Sequence, residues 1–149
     1  MTKTMTISRS DKERLKKLVG YATGSLYSLD AAADQIDNIF VPILGEDSCD
    51  DIPERFTRFL EEALEGVQAA GMSQEAAHFW VDYVYGRPKG EPAQEFAGIF
   101  LTYALCLSRC KSQGILTTSA GKFISDELLR VIDNSDKVAA KQLAKKRVW

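Results

Sequence analysis

Apolar residues recur along this chain at the spacing of three and four residues that marks one face of an α-helix. The clearest stripe predicts a helix between Asp51 and Gly71, with an apolar face formed by Phe56, Phe59, Leu60, Ala63, Leu64 and Val67. Similar stripes predict a helix from about Ser10 that ends near Gly20 or Gly24, helices over about 28–40, 73–85 and 91–113, and one from about 117 towards the C-terminus. No segment shows the alternation that predicts a half-buried strand. The pattern therefore predicts an all-α fold.

Capping residues and helix breakers set the predicted boundaries. Ser10-Asp11-Lys12-Glu13 has the form of a capping box, and Ser73 is the predicted N-cap of the helix that follows Gly71. Pro42 is predicted to stop the second helix, because proline lacks the backbone N–H that a helix needs. The acidic stretch from Gly45 to Asp51 is predicted to be a loop.

The predicted helix over 91–113 is apolar on nearly every side. Its apolar residues are Phe96, Ile99, Phe100, Leu101, Tyr103, Leu105 and Leu107. A helix that is apolar all round is normally buried. We therefore expect this helix to lie in the middle of a bundle or at an interface between copies of the chain.

Composition and charge exclude several classes of function. The chain has 149 residues, enough for one domain with a single core, and its 19 basic and 21 acidic residues give a net charge of −2. Domains that bind nucleic acid through a general basic surface carry a positive excess, so we expect no nucleic-acid partner. Three cysteines without a CxxC motif and a single histidine argue against a zinc site.

The sequence also gives no sign of a membrane or export segment. The residues before Ser10 are polar and lack the apolar core of a signal peptide. No apolar run approaches the roughly 20 residues that span a bilayer. We therefore expect a cytoplasmic protein without a membrane partner.

Two clusters of glutamates are the main candidates for chemistry. Glu61, Glu62 and Glu65 point away from the apolar stripe of their helix, and Glu91 and Glu95 share one line along the next long helix. Carboxylates from two facing helices would supply the oxygen ligands that Mg²⁺ prefers. The alternative is that the first cluster is an ordinary solvated face. Glu95 favours the metal site, because a carboxylate on an otherwise apolar helix needs a partner.

Several segments resemble the MazG-like nucleoside triphosphate pyrophosphohydrolases, in particular a small single-domain branch found in bacteria and their phages. These segments are Arg58–Glu65, Ala77–His78, Val81–Val84, Gly86–Pro88, Gly90–Glu95, Glu127–Val131, Lys137 and Ala140–Gln142. The resemblance predicts a MazG-like helical-bundle domain over 51–149. Residues 1–50 resemble no family and are predicted to form an N-terminal helical extension packed on the same domain.

The resemblance implies cleavage of a nucleoside triphosphate to monophosphate and pyrophosphate by a homodimer or homotetramer. It also implies Mg²⁺, with Mn²⁺ as an alternative, held by two pairs of acidic residues. Glu62 and Glu65 match the first pair, and Glu61 matches a further ligand or water activator, so Glu61 and Glu62 are the implied catalytic residues. Glu95 begins the second pair, whose aspartate is replaced here by Gly98.

Glu91 is a candidate replacement for the ligand absent at Gly98, because it lies one turn before Glu95 on the same line. Lys137 and Lys141 are candidates to contact the triphosphate, and Trp80 is a candidate to stack on the base. The alternatives are that the two lysines are ordinary solvated residues and that the tryptophan belongs to the core.

Two further functions remain open from the sequence. A catalytically degenerate relative would bind a nucleotide or a protein partner without turnover, and the glycine at position 98 favours this reading. A purely structural oligomer or partner-binding helical module is favoured by the unmatched first 50 residues and by the apolar helix over 91–113.

Overall fold

The computed structural model describes residues 8–26 and 28–145, and within 8–26 it describes no side chains at 18 and 20–25. All regular structure in the described residues is helical, which confirms the all-α prediction. The helices are α1 (Arg9–Leu26), α2 (Leu29–Leu44), α3 (Glu46–Asp50), α4 (Ile52–Ala69), α5 (Gln74–Tyr85), α6 (Pro92–Ser112), α7 (Ala120–Asp133) and α8 (Ser135–Ala144).

Some positions used in the sequence predictions lie outside this description. They are residues 1–7 of the polar segment before Ser10 and several side chains of the helix predicted over about 10–24. Among the described residues, no helix combines the length and the apolar character needed to cross a bilayer.

The central helix α4 begins and ends where its capping residues predict. The Asp51 side chain accepts a hydrogen bond from the backbone N–H of Glu54 at 3.2 Å, which satisfies one of the free N–H groups of the first turn. At the other end, Gly71 has a φ of +96°. The backbone N–H groups of Gly71 and Met72 donate to carbonyls of the last turn at 2.9 and 3.0 Å, which is the Schellman arrangement.

The predictions around Pro42 and Gly45 were wrong. Helix α2 continues through Pro42 to Leu44, because proline removes only one backbone donor and the rest of the last turn stays hydrogen-bonded. The chain turns instead at Gly45, whose φ is +85°. The acidic stretch that follows is the short helix α3 rather than a loop, since Glu46 and Asp47 suit the positive end of a helix.

The first helix starts earlier than the predicted capping box. Helix α1 begins at Arg9, so Ser10 lies within its first turn. The side chain of Ser8 accepts the hydrogen bond from the Asp11 backbone N–H at 3.1 Å. Ser8 is therefore the capping residue, and the prediction of a cap at Ser10 was wrong.

The last predicted helix is two helices. Ser119 caps the first of them by accepting from the Lys122 backbone N–H at 3.2 Å, so α7 begins after the predicted start at Thr117 or Thr118. The Asn134 side chain donates to the Arg130 carbonyl at 2.8 Å. Side chains that hydrogen-bond the backbone in this way compete with helix propagation. Accordingly, α7 ends at Asp133, directly before Asn134, and α8 begins at Ser135.

The helices form a loosely packed assembly. Helix α2 contacts α3 and α8, α3 contacts α4, and α7 contacts α8. Helices α4 and α6 meet through Phe56 and Phe96, whose rings pack edge to face with centroids 5.7 Å apart. The described residues contain one buried apolar side chain, Val131.

The accessible surface of the single chain is 12,938 Å². A compact protein of 16.5 kDa exposes about 7,500 Å². The single chain therefore leaves exposed much of the apolar surface that a closed helical bundle would bury.

The Schellman turn at Gly71 gives a direct test of the α4 boundary. We expect Gly71→Ala to lower the free energy of unfolding by about 1 kcal/mol, because an L-residue is strained at a φ of +96°. The matched control is Gly66→Ala inside α4, where an added Cβ meets no atom within 4 Å. The control should raise the free energy of unfolding by about 0.5–1 kcal/mol, because alanine favours a helix over glycine. Urea unfolding followed by circular dichroism measures both, and a neutral Gly71→Ala would contradict the assigned turn.

Candidate functional site

Helix α4 presents its polar side chains to two different clefts. Glu62 and Arg58 face a cleft beside α7 and α8. Glu61 and Glu65 line a groove of about 460 Å³ that runs towards the start of α5. The three glutamates predicted to act as one cluster are therefore divided between two surfaces of the helix.

The first of these surfaces, which we name the basic cleft, is a cavity of about 540 Å³ lined by residues of α2, α4, α7 and α8 together with Asn134 and Lys145. Two acidic side chains, Glu62 and Glu127, lie in its wall. Six cationic side chains line it: Arg55, Arg58, Arg130, Lys137, Lys141 and Lys145. The cleft thus gathers a local positive excess in a chain whose net charge is −2.

The two arginines of α4 are held in place by neighbours. The Nε of Arg58 lies 3.0 Å from a carboxylate oxygen of Glu54, and Glu54 is itself buried. The Nη2 of Arg55 donates to the Ser48 hydroxyl at 3.3 Å, which ties α4 to α3. The buried Nε of Arg55 has no hydrogen-bond partner among the described residues. Because these contacts restrict the side chains before any ligand arrives, the arginines lose little freedom when they bind one.

The carboxylate of Glu61 is engaged by two cations. The Nζ of Lys145 donates to its two oxygens at 2.8 and 2.7 Å, and the Nη1 of Arg58 donates at 2.6 Å. The hydrogen bond from Lys145 is the largest cause that holds the pKa of Glu61 below its usual value, and the charges of Lys145 and Arg58 add to it. Such a carboxylate is a weak base, so the predicted role of Glu61 as water activator does not fit its surroundings in the single chain.

The second predicted cluster lies at the start of α6. Glu91 is the N-cap position of this helix, and Glu95 is in its first turn. The Glu95 carboxylate folds back over Gly90, where an added Cβ would lie 1.8 Å from its oxygen. Neither Glu91 nor Glu95 lines the basic cleft or the groove that holds Glu61 and Glu65.

The five predicted ligands therefore do not come together within one chain. Among the residues that the structure describes, no group of three or more aspartate, glutamate, histidine or cysteine side chains is placed to hold a metal ion. Mg²⁺ needs near-octahedral oxygen ligands around a single point. The arrangement of the single chain does not fit this ion.

The predicted substrate residues divide in the same way. Lys137 and Lys141 line the basic cleft. Trp80 lies on α5, where its ring packs edge to face with Phe79 and Tyr83, each with centroids 5.4 Å apart. Trp80 therefore does not belong to the wall of the basic cleft.

Four of the six cations of the basic cleft were missed in the sequence. They are Arg55, Arg58, Arg130 and Lys145. Helical geometry could have found part of the set, because Arg55, Arg58 and Glu62 fall within about 60° of one another around α4. The contributions of Arg130 and Lys145 depend on how α7 and α8 pack, which no local pattern encodes.

No family model matches this chain, and no curated protein or solved structure matches it. The MazG-like family therefore stays a prediction from the residues.

The contacts of Glu61 predict a dependence of stability on pH. The pKa of Glu61 is lowered in the folded chain. Its ionised carboxylate therefore stabilises the fold at pH values above 4.5, the ordinary pKa of a glutamate. This stabilisation is lost as the pH falls through the lowered pKa. Glu61→Gln should therefore destabilise the protein near neutral pH and make little difference well below pH 4.5. Chemical unfolding across this range measures the difference.

The matched control is Glu65→Gln on the same helix, since the described residues give Glu65 no ion pair. An equal loss of stability in both variants, or a loss from Glu61→Gln that persists in acid, would contradict the role given to the Lys145 contact.

Proposed function

We propose that this chain is a nucleotide pyrophosphohydrolase that binds the phosphates of a (deoxy)nucleoside triphosphate in the basic cleft. The observation that carries the proposal is the concentration of six cations around Glu62 in a chain without a net positive charge. The products are a nucleoside monophosphate and pyrophosphate. The MazG-like bundle type, the homodimer or homotetramer and the cytoplasmic location belong to the same proposal.

The cations of the cleft suit a polyphosphate in two ways. The guanidinium groups of Arg55, Arg58 and Arg130 supply planar cations to this wall, and planar guanidinium groups match the geometry of phosphate oxygens. Arg58 is paired with Glu54 and Glu61, and Arg130 with Glu127, so these two would bind a phosphate with the N–H groups that their carboxylate partners leave free. Lys137 and Lys141 lie one turn apart on α8 and add point charges along the same wall. Phosphoryl transfer depends mainly on positioning and on stabilising charge, so these residues would bind the substrate and stabilise the leaving pyrophosphate.

Glu62 is the candidate to orient or deprotonate the attacking water. It lines the basic cleft, and the described residues hold its carboxylate in no ion pair of the kind that engages Glu61. A positioned general base of this kind contributes about 10²–10⁴-fold to a hydrolysis rate. Glu61 acts in this proposal as a structural partner of Lys145.

Mg²⁺, with Mn²⁺ as an alternative, belongs to the proposal only through the resemblance. The resemblance implies Glu62, Glu65 and Glu95 as ligands, with Glu61 as a further ligand or water activator, and Glu91 is our candidate replacement for the ligand absent at Gly98. These five carboxylates do not meet among the described residues of the single chain, and Glu61 is held there by Lys145.

A second candidate function is nucleotide binding without turnover. Two observations favour it: position 98 carries glycine instead of a carboxylate, and the carboxylate of Glu61 is engaged by Lys145 and Arg58. In that case the basic cleft would hold the nucleotide as a ligand.

One experiment separates the two candidates. The protein is incubated with a panel of NTPs and dNTPs with Mg²⁺, products are analysed by chromatography, and binding is measured by calorimetry. Release of monophosphate and pyrophosphate supports the first function, and Glu62→Gln should then reduce the rate by about 100-fold or more. Binding without products selects the second. Neither binding nor turnover would contradict both.

The lysines of the cleft allow a sharper test of where the phosphates bind. Lys137→Ala and Lys141→Ala should each weaken nucleotide binding by about tenfold, because each removes a charged hydrogen-bond donor. Lys111→Ala on α6 is the control, since Lys111 lies outside the basic cleft, and it should leave the affinity unchanged. Unchanged affinity in all three variants would place the phosphates elsewhere.

The role suggested for Glu91 has its own test. If Glu91 replaces the ligand missing at Gly98, Glu91→Ala should abolish turnover that depends on Mg²⁺ without unfolding the protein. Full activity of this variant would refute the replacement and would leave the basic cleft as the whole site.

A further inference from the structure

The exposed side of α6 carries one narrow line of small and charged residues between apolar flanks. Glu95, Gly98, Thr102, Cys106 and Arg109 fall within about 80° of one another around the helix, and all five are exposed. The hydroxyl of Thr102 donates to the Gly98 carbonyl at 2.8 Å, so it is satisfied within its own helix. An added Cβ at Gly98 would meet no atom within 4 Å.

Large apolar side chains border this line on both sides. Leu101 and Leu105 are 65% and 64% exposed on one side, and Ile99 and Tyr103 are exposed on the other. Ile99, Leu101 and Tyr103 also line the edge of an open apolar cavity between α6 and α4, which leaves them accessible in the single chain. Residues 96–108 include no charged side chain. An exposed apolar surface with charges only at its ends has the composition of a homodimer interface rather than of a free surface.

The single chain also exposes enough surface for an interface of standard size. Its accessible surface exceeds that of a compact chain of this mass by more than about 5,000 Å². A stable dimer of standard size buries about 1,600 Å² in total. The excess is therefore ample for an interface along the whole of α6, which is 21 residues long.

The charges at the two ends of the line are complementary to those of a second, antiparallel copy of this chain. Glu95 lies near the N-terminus of α6 and Arg109 near its C-terminus, about 21 Å apart along the axis, so they cannot pair within one helix. The described residues provide no ion pair to either of them. Two antiparallel copies of α6 would place each Glu95 opposite an Arg109, because both lie seven residues from Thr102.

We propose that two copies of this chain associate through α6, antiparallel about a two-fold axis at Thr102. Gly98 and Thr102 let the two backbones approach closely, and Leu101, Leu105, Ile99 and Tyr103 bury their side chains against the other copy. Each Glu95 pairs with Arg109 of the other chain at either end. This inference locates the contact within the oligomer of the proposed function, but it does not rest on any catalytic role.

The first test is the mass of the full chain in solution by light scattering at micromolar concentration. A dimer of about 33 kDa, or a tetramer built from it, is expected from a 16.5 kDa chain. Leu101→Glu and Leu105→Glu should each weaken self-association by about tenfold or more, because each places two charges in the interface. The control is Leu143→Glu on α8, which is 83% exposed and should keep the wild-type mass. A monomeric wild type, or unchanged masses in the α6 variants, would overturn the proposal.

The second test fixes the geometry without depending on a destabilised variant. In a chain with Cys49, Cys106 and Cys110 replaced by serine, Thr102→Cys should form a disulfide between copies on mild oxidation, because the two-fold axis brings the Cα atoms within bonding range. Ser112→Cys is the control, since its two copies would lie about 30 Å apart. Cross-linking at 112 but not at 102 would exclude the antiparallel arrangement.

The third test separates this role of Glu95 from that of a metal ligand. Glu95→Arg should weaken the dimer, and Glu95→Arg combined with Arg109→Glu should restore it, because the pair is only reversed. The double variant cannot restore a metal ligand at position 95. If the double variant recovers the mass of the dimer but not the activity, the result supports the α6 interface and leaves the catalytic proposal to its own tests. If the double variant does not recover the mass of the dimer, the result contradicts the ion pair between Glu95 and Arg109.

Discussion

The ion pair between Lys145 and Glu61 connects the end of α8 to the middle of α4, across 84 residues of chain. It joins the two helices whose lysines and arginines line the basic cleft, while α8 also packs against α2 and α7. The contact is reinforced by Arg58, which also lies against the buried carboxylate of Glu54. Partly buried charges that share several hydrogen bonds order their surroundings more strongly than isolated surface pairs do.

The same network changes how the first acidic cluster should be understood. A helix that displays three glutamates within one turn looks uniform in sequence, yet each carboxylate acquires its chemistry from a different neighbour. Glu61 is neutralised by cations, Glu62 faces the basic cleft, and Glu65 lines the groove near α5. The spacing of the three glutamates therefore does not determine their roles. The contact from Lys145 at the end of α8 decides which carboxylate is available to a substrate.

Local chemistry predicted the features that depend on a few adjacent residues. The helix start at Asp51, the cap at Ser73 and the helix end at Gly71 are confirmed, because each follows from one side chain or one backbone angle. Errors arose where a local signal was too weak to decide, as with the proline inside α2 and the asparagine that separates α7 from α8. The cleft was predicted only through two lysines, since its other cations are brought together by contacts distant in sequence.

A glycine at position 98 has a consequence for how chains of this kind can diverge. A carboxylate at this point on α6 and a close contact between two α6 helices exclude each other, because the first needs space around a bound cation and the second needs backbones without side chains between them. If two copies pair through α6 as proposed, a carboxylate at position 98 would prevent the close contact between the two helices. Among chains with this helix, those with a carboxylate at position 98 should bind ligands through α6, and those with a glycine there should form a dimer through α6.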